Sequence, residues 1–219
     1  ANPRNIRFSM NNVVILGASG HARVCLEILE AQGHRVIGFY DDDPQLTGLS
    51  LHGYPILGKI DDLLQELLTM EHDIIIAIGN NDDRKNIVNL LINKLNRDFI
   101  NAIHPSAIIS KRVKIGAGNF IAAGVIINTG TIIGNYVIIN TGATIDHDNI
   151  IDNYAQISPG CNLAGNVTVE EGAFIGTGAI VIPGKTIGAH AIIGAGAVVI
   201  DNIPPFSTAV GVPARIIKK

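Results

Sequence analysis

From residue 103 to residue 199 an aliphatic side chain stands at every sixth position: Ile103, Ile109, Ile115, Ile121, Ile127, Ile133, Ile139, Ile145, Ile151, Ile157, Leu163, Val169, Ile175, Val181, Ile187, Ile193 and Val199. Seventeen hexads keep this register without a slip. Self-similarity at a fixed hexapeptide period is a signature of a parallel β-helix. Four residues after each aliphatic comes mostly a small residue, as at Ala107, Thr131, Ala143, Ala155, Cys161, Ala173, Ala191 and Ala197, because a tight interior has no room for a second large side chain. Three hexads close one triangular coil of 18 residues. A little under six coils, stacked at the inter-strand spacing, make a prism about 27 Å tall. Each coil buries the edge of the one before it, so only the two ends need caps.

The first hundred residues follow another pattern. "VVILG" is a short apolar run ending in glycine, "HARVCLEILEAQG" is a helical pattern stopped by Gly33, and "RVIGFYDD" is a second strand, which together form a β-α-β unit. "LHGYPILGKIDDLLQELL" reads as a turn and an intervening helix. "DIIIAIGNN" is a third strand ending in a glycine-asparagine turn, followed by the helix "DDRKNIVNLLINKL", whose first acidic residues suit its dipole. The expected organisation is an α/β Rossmann-like domain over residues 12–102 and a parallel β-helix with a C-terminal tail over 103–219. Residues 1–11 are expected to be a disordered start, the first nine a cloning remnant.

Composition narrows the partners. The chain is 47% hydrophobic and 16% charged, which suits a substantial core, and its formal net charge of −3 offers no basic field for nucleic acid or an anionic bilayer. No uninterrupted apolar run is long enough to span a membrane, and no basic-then-apolar leader opens the sequence. The expectation is a soluble cytoplasmic protein acting on small molecules. Cys25 and Cys161 lie far apart without metal-ligand spacing around them and are read as free thiols, with no metal site.

Between Ile115 and Ile145 there is no charged residue and no histidine; then "TIDHDNIID" brings Asp146, His147 and Asp148 together. The 18-residue ruler puts Thr129 below His147 and Gly165 above it. His147 stands two places after an inward aliphatic, so its ring points outward at a corner. A lone surface histidine is ordinarily just solvated. Here a neighbouring carboxylate can raise its basicity and set its tautomer, while a residue without a side chain lies one coil away and leaves room for substrate, a combination suited to a general base beside an oxyanion donor. In the first domain "GASGH" follows a strand and opens a helix, so its backbone N–H groups can meet a diphosphate. It lacks the third glycine of the dinucleotide fingerprint. Asp41, ending the second strand, stands where a ribose-binding acid is found in dehydrogenases. Gly-Asn pairs such as Gly79-Asn80 often serve only as turns.

Five blocks, "LGASGHARVC", "YDDD", "IAIGNNDDRK", "TIDHDNIIDNYAQISPGCNLAGNV" and "GVPAR", occur in the order found in the PglD/NeuD family of nucleotide-sugar and sialic-acid acyltransferases, which the chain resembles from about residue 12 onward. The resemblance implies a left-handed coil and a homotrimer with coenzyme A bound between prisms. It implies His147 as the catalytic base and Asp148 as the acid that supports it, at a position where bacillosamine-type enzymes carry glutamate. It places the acetyl-coenzyme A thioester against Gln156, Gly165, Thr177 and Ala195, with Gln156 standing where those enzymes have histidine. It assigns Ser19, Gly20, His21, Asp41, Asp42, Gly79 and Asn80 to the acceptor, a UDP-linked 4-amino-sugar. Competing readings are O-acetylation of a sialic-acid type sugar, a nicotinamide enzyme with the β-helix as a stalk, and a structural β-helix such as an ice-binding surface. The nicotinamide enzyme needs a full glycine fingerprint and a catalytic pair near the sheet. The ice-binding surface needs a long threonine ladder, whereas no 18-residue column here holds more than two threonines.

Overall fold

A computed structural model describes residues 12–67, 72–95 and 98–218. The opening segment read as a cloning remnant lies outside the described residues. The α/β part runs β1 (Asn12–Leu16), α1 (Gly20–Ala31), β2 (Arg35–Tyr40), β3 (Ser50–Leu51), β4 (Tyr54–Gly58), α2 (Ile60–Leu67), β5 (Asp73–Ile76) and α3 (Asn81–Leu95). The sheet order is β3-β4-β2-β1-β5, parallel except for the β3–β4 pair. Alternation along β1 divides its neighbours. Val13 and Ile15 pack with Cys25 and Leu29 of α1, and Val14 and Leu16 pack with Leu63 of α2 and Val88 and Leu91 of α3.

The segment read as a turn and a helix holds an edge hairpin as well. His52 and Gly53 both adopt positive φ, 50° and 85°, the geometry of a two-residue turn that pairs Leu51 with Tyr54. Pro55 argues against a strand in sequence, but it sits where β4 faces the short edge strand.

The second part is a left-handed parallel β-helix. Two-residue strands stack in three sheets, and the inward aliphatics pair with those 18 residues on, as Ile121 with Ile139, Ile127 with Ile145 and Ile133 with Ile151. After Val199 the coil shortens: Ile203 meets Ile187 and Ala209 meets Ile193, each 16 residues on. Asn202 fills the break, its Oδ1 accepting from Thr186 N at 2.9 Å. Thr208–Val210 and the antiparallel Arg215–Lys218 end the last sheet.

Among the described residues, four small-residue positions of the interior carry buried polar side chains, Asn119, Thr131, Asn149 and Ser207. Each is hydrogen-bonded, as burial of polar groups requires. Asn119 donates to Gly134 O and accepts from Val137 N; Asn149 donates to Asp146 O and accepts from Val167 N, both at 2.7 Å. Thr131 Oγ1 donates to the same Asp146 carbonyl at 2.9 Å. Two interior side chains therefore hold the peptide that precedes His147. Replacing Asn149 with alanine orphans the buried Val167 N–H and frees that carbonyl, and should cost about 1–3 kcal/mol of stability. The midpoint of chemical denaturation measures it.

Candidate functional site

The corner carrying His147 joins the strands Thr144–Ile145 and Ile150–Ile151. From Gly118 to Gly196 the corners of this prism put the third residue after each inward aliphatic into the left-handed region; most are glycine, but this one is Asp148, with φ of 57°. Aspartate tolerates that conformation better than most residues. The turn brings its carboxylate back onto the preceding ring: His147 Nδ1 donates to Asp148 Oδ2 at 2.9 Å. The tautomer this bond favours leaves Nε2 as an acceptor, on a side chain 48% exposed. The hydrogen bond to Asp148, ahead of the Asp146 charge, holds the His147 pKa above the ordinary imidazole value.

Asp146 has a different partner. Its Oδ1 accepts from Asn128 Nδ2 at 2.9 Å, and that bond is the main cause holding its carboxyl below the usual carboxylate range. The two acids flanking His147 are thus divided between the ring and the adjoining prism face, where a groove of about 420 Å³ runs past Asn128, Thr144, Asp146, Asn162 and Ala164. Gly165 proves to be smaller than glycine-sized space for substrate would suggest: a Cβ there would lie 2.6 Å from His147 Nε2. The expected gap is filled by the ring itself, so Gly165 is the floor on which His147 rests.

The acceptor residues gather elsewhere. A cavity of about 390 Å³ lies at the carboxyl ends of β1, β2 and β5, walled by Gly17, Ser19, Asp41, Asp42, Ile78 and Gly79. Asp41 Oδ2 accepts from Ala18 N at 2.7 Å and Oδ1 from Asp43 N, which fastens the glycine turn to the end of β2. Asp42 Oδ1 accepts from Ile60 N at the start of α2. Asn80 Oδ1 accepts from Asp82 N and Asp83 N and so caps α3, the turn role weighed for it. A methyl group added at Gly20 would meet no atom within 4 Å. His21 is not brought to the cavity wall. It packs edge-on against Phe120, with ring centroids 4.4 Å apart, and lies 3.9 Å from Cys25 Sγ. Burial first, then the Arg84 charge, lowers its pKa to about 4, so it is neutral at physiological pH.

Gln156 lies on a second face of the prism, in a cavity of about 340 Å³ shared with Gly79, Asn80, Phe174, His190 and Ile192. Its Oε1 is buried and has no hydrogen-bond partner among the described residues. Thr177 and Ala195 are exposed and stack on the next corner, where Gly196 N donates to Thr177 O at 2.8 Å. The residues expected around the thioester are therefore spread over a face and two corners of one chain. Sequence reasoning missed Asp83 and Asn86 on the first cavity wall, His190 in the second, and Arg84 behind both. The segment "NNDDRK" was in view, but nothing in it marks which polar residue turns inward.

Comparisons with known proteins bear on the family and the fold. The family described as the PglD N-terminal domain matches residues 12–91. A solved structure of perosamine N-acetyltransferase from Caulobacter crescentus, in complex with CoA and GDP-perosamine, is 40% identical, with a TM-score of 0.89 over 96% of this chain and 99% of that one. The acetyltransferase domain of PglB from Neisseria gonorrhoeae, in complex with acetyl coenzyme A, is 34% identical, with a TM-score of 0.87 over 95% and 100%. Among curated proteins, UDP-N-acetylbacillosamine N-acetyltransferase of Bacillus subtilis is 44% identical over 120 residues, 52% of each chain, so the match spans about half the length of that relative.

Asp148→Asn should lower the His147 pKa, because the bond to the carboxylate is its largest upward cause. A ring whose Nε2 must be unprotonated to act gains activity as pH rises through its pKa, so the acid limb of a pH–rate profile should move to lower pH in this variant. Asp146→Asn should move it less. NMR titration of the His147 ring protons measures both shifts.

Proposed function

Because the chain belongs to the PglD-type family of sugar acetyltransferases, we propose that it is an acetyl-coenzyme A-dependent N-acetyltransferase acting on the amino group of a nucleotide-linked 4-amino-sugar. The observation that carries this reading is the His147–Asp148 pair, which presents an imidazole acceptor at an open corner of a prism. The amine nitrogen attacks the thioester carbonyl carbon, and His147 Nε2 takes its proton. Gly165 N–H steadies the oxyanion that forms. Collapse breaks the C–S bond, and the thiolate leaves with the proton from His147. In this scheme Asp148 keeps Nδ1 protonated and stabilises the imidazolium. No metal takes part.

Gln156, Thr177 and Ala195 hold the coenzyme in this proposal, and the sheet-edge cavity holds the nucleotide. UDP is the carrier favoured by the bacillosamine-type resemblance; the Caulobacter relative is described with a GDP-sugar, so an assay should offer both. His147 and Gln156 occupy different parts of the same prism, and a homotrimer would bring the corner of one chain against the face of another. Among the described residues no helix is long and apolar enough to cross a membrane. We place the reaction in the cytoplasm, where acetyl-coenzyme A is available.

His147→Ala should lower turnover roughly 10²- to 10⁴-fold while coenzyme A affinity changes little. Steady-state kinetics with calorimetry measures both; near-normal turnover would return His147 to the surface, and acetylation of a free sialic-acid hydroxyl instead would move the acceptor assignment. Light scattering at micromolar concentration should give three times the chain mass, and a monomer would count against a shared site.

A further inference from the structure

Arg84 is the largest fully buried side chain among the described residues, 1% exposed. Burial lowers its pKa to about 10, so it remains a cation at neutral pH. All five of its N–H donors are engaged. Nε donates to Tyr136 O at 2.9 Å; one terminal nitrogen donates to Ile78 O at 3.0 Å and Gly79 O at 3.2 Å; the other donates to Tyr154 O and Asn81 Oδ1, both at 2.8 Å. Two of these carbonyls belong to successive corners of the prism and two to the turn after β5. Asn81 Nδ2 continues the link, donating to Gly172 O at 3.0 Å on the next corner.

That turn is the wall common to the two cavities. Gly79 lines both the sheet-edge cavity and the one containing Gln156. Wherever Arg84 holds Ile78 and Gly79, it also sets the distance from a nucleotide in the first cavity to the prism surface. The planar guanidinium suits this task because its donors diverge in a fixed fork, which a lysine ammonium cannot reproduce. Resting on the nucleotide-sugar reading above, we propose that Arg84 is a positioning residue, which locks the Ile78–Gly79 turn onto the prism and thereby fixes where the acceptor amine is presented. A residue that served only to hold the fold together would, when weakened, reduce the amount of active protein and leave the remaining molecules with ordinary kinetics.

The test uses Arg84→Lys, which keeps the charge and loses the fork, and the milder Asn81→Ala, which removes one Arg84 acceptor and the bond to Gly172. Folded fractions are taken from thermal melts, and both substrates are varied in steady-state kinetics. The expected result, per folded molecule, is an acceptor KM raised about tenfold or more with the acetyl-coenzyme A KM within about twofold. Unchanged acceptor kinetics in folded Arg84→Lys, or equal losses for both substrates, overturns the proposal. If Arg84→Lys does not fold, Asn81→Ala decides by the same criteria. If the unsubstituted protein transfers no acetyl group, the functional reading fails by itself, and calorimetry with UDP and GDP decides Arg84. Binding weakened about tenfold in the variants supports the positioning role. Equal binding, or none by the unsubstituted protein, overturns it.

Discussion

Up to Val199, each strand of the prism pairs with strands 18 residues before and after it, through backbone hydrogen bonds that repeat coil after coil. That constraint makes the His147 corner rigid without giving it a dedicated scaffold. His147 rests on Gly165 because 165 is one coil on, and Asp148 N donates to Thr129 O one coil back. Asn149 bonds Val167 N for the same reason. A register slip of one residue between Ile103 and Ile145 would put His147 in the place of Asp146 or Asp148 and take its ring off Gly165. The two-residue shortening occurs only after Val199, beyond the residues proposed to carry the chemistry.

The period of six made the prism legible. In each two-residue strand the second residue faces inward, so Ile151 is buried while Ile150 is exposed, and the inward aliphatics recur every six residues. The alternation of strands and helices in the first hundred residues was readable for the same kind of reason, while the β3–β4 hairpin was hidden by its shortness and by Pro55. Within the site, adjacency in sequence sufficed for the His147–Asp148 pair, because a corner residue in the left-handed conformation folds its side chain back toward the previous one. It did not suffice for Gly165, where space inferred from a missing side chain is already taken by the ring.

What stayed illegible depends on contacts between the two parts. Arg84 lies in a helix that reads as polar on its first turn, beside Asp82, Asp83 and Lys85, and nothing local distinguishes it from them. Its partners are backbone carbonyls some 50 and 70 residues away, which no side-chain pattern records. His21 shows the converse. "GASGH" marks the turn correctly, yet the fifth residue faces Phe120 of the prism and not the cavity, because α1 packs its first turn against the first coils.

The placement of charge around the sheet-edge cavity follows from these same contacts. Among the described residues its wall includes three aspartates and no lysine or arginine. For an anionic ligand that would be a poor surface if the carboxylates faced it unpaired. Asp41 and Asp42 instead accept hydrogen bonds from backbone N–H groups of Ala18, Asp43 and Ile60 and act as fasteners for the turns that bear them. Attraction for a diphosphate then has to come from the N-terminal dipole of α1, where Ser19 makes no side-chain cap to occupy the free N–H groups. His21, at the second position of that helix, is held neutral by burial and by Arg84, so it adds no charge of its own. The buried guanidinium behind the Ile78–Gly79 turn is the nearest cation the hydrogen bonds tie to this wall. If the cavity holds a nucleotide as proposed, a surface built from backbone and one buried charge is less plastic than one of surface lysines, and its geometry is inherited from the prism to which Arg84 ties it.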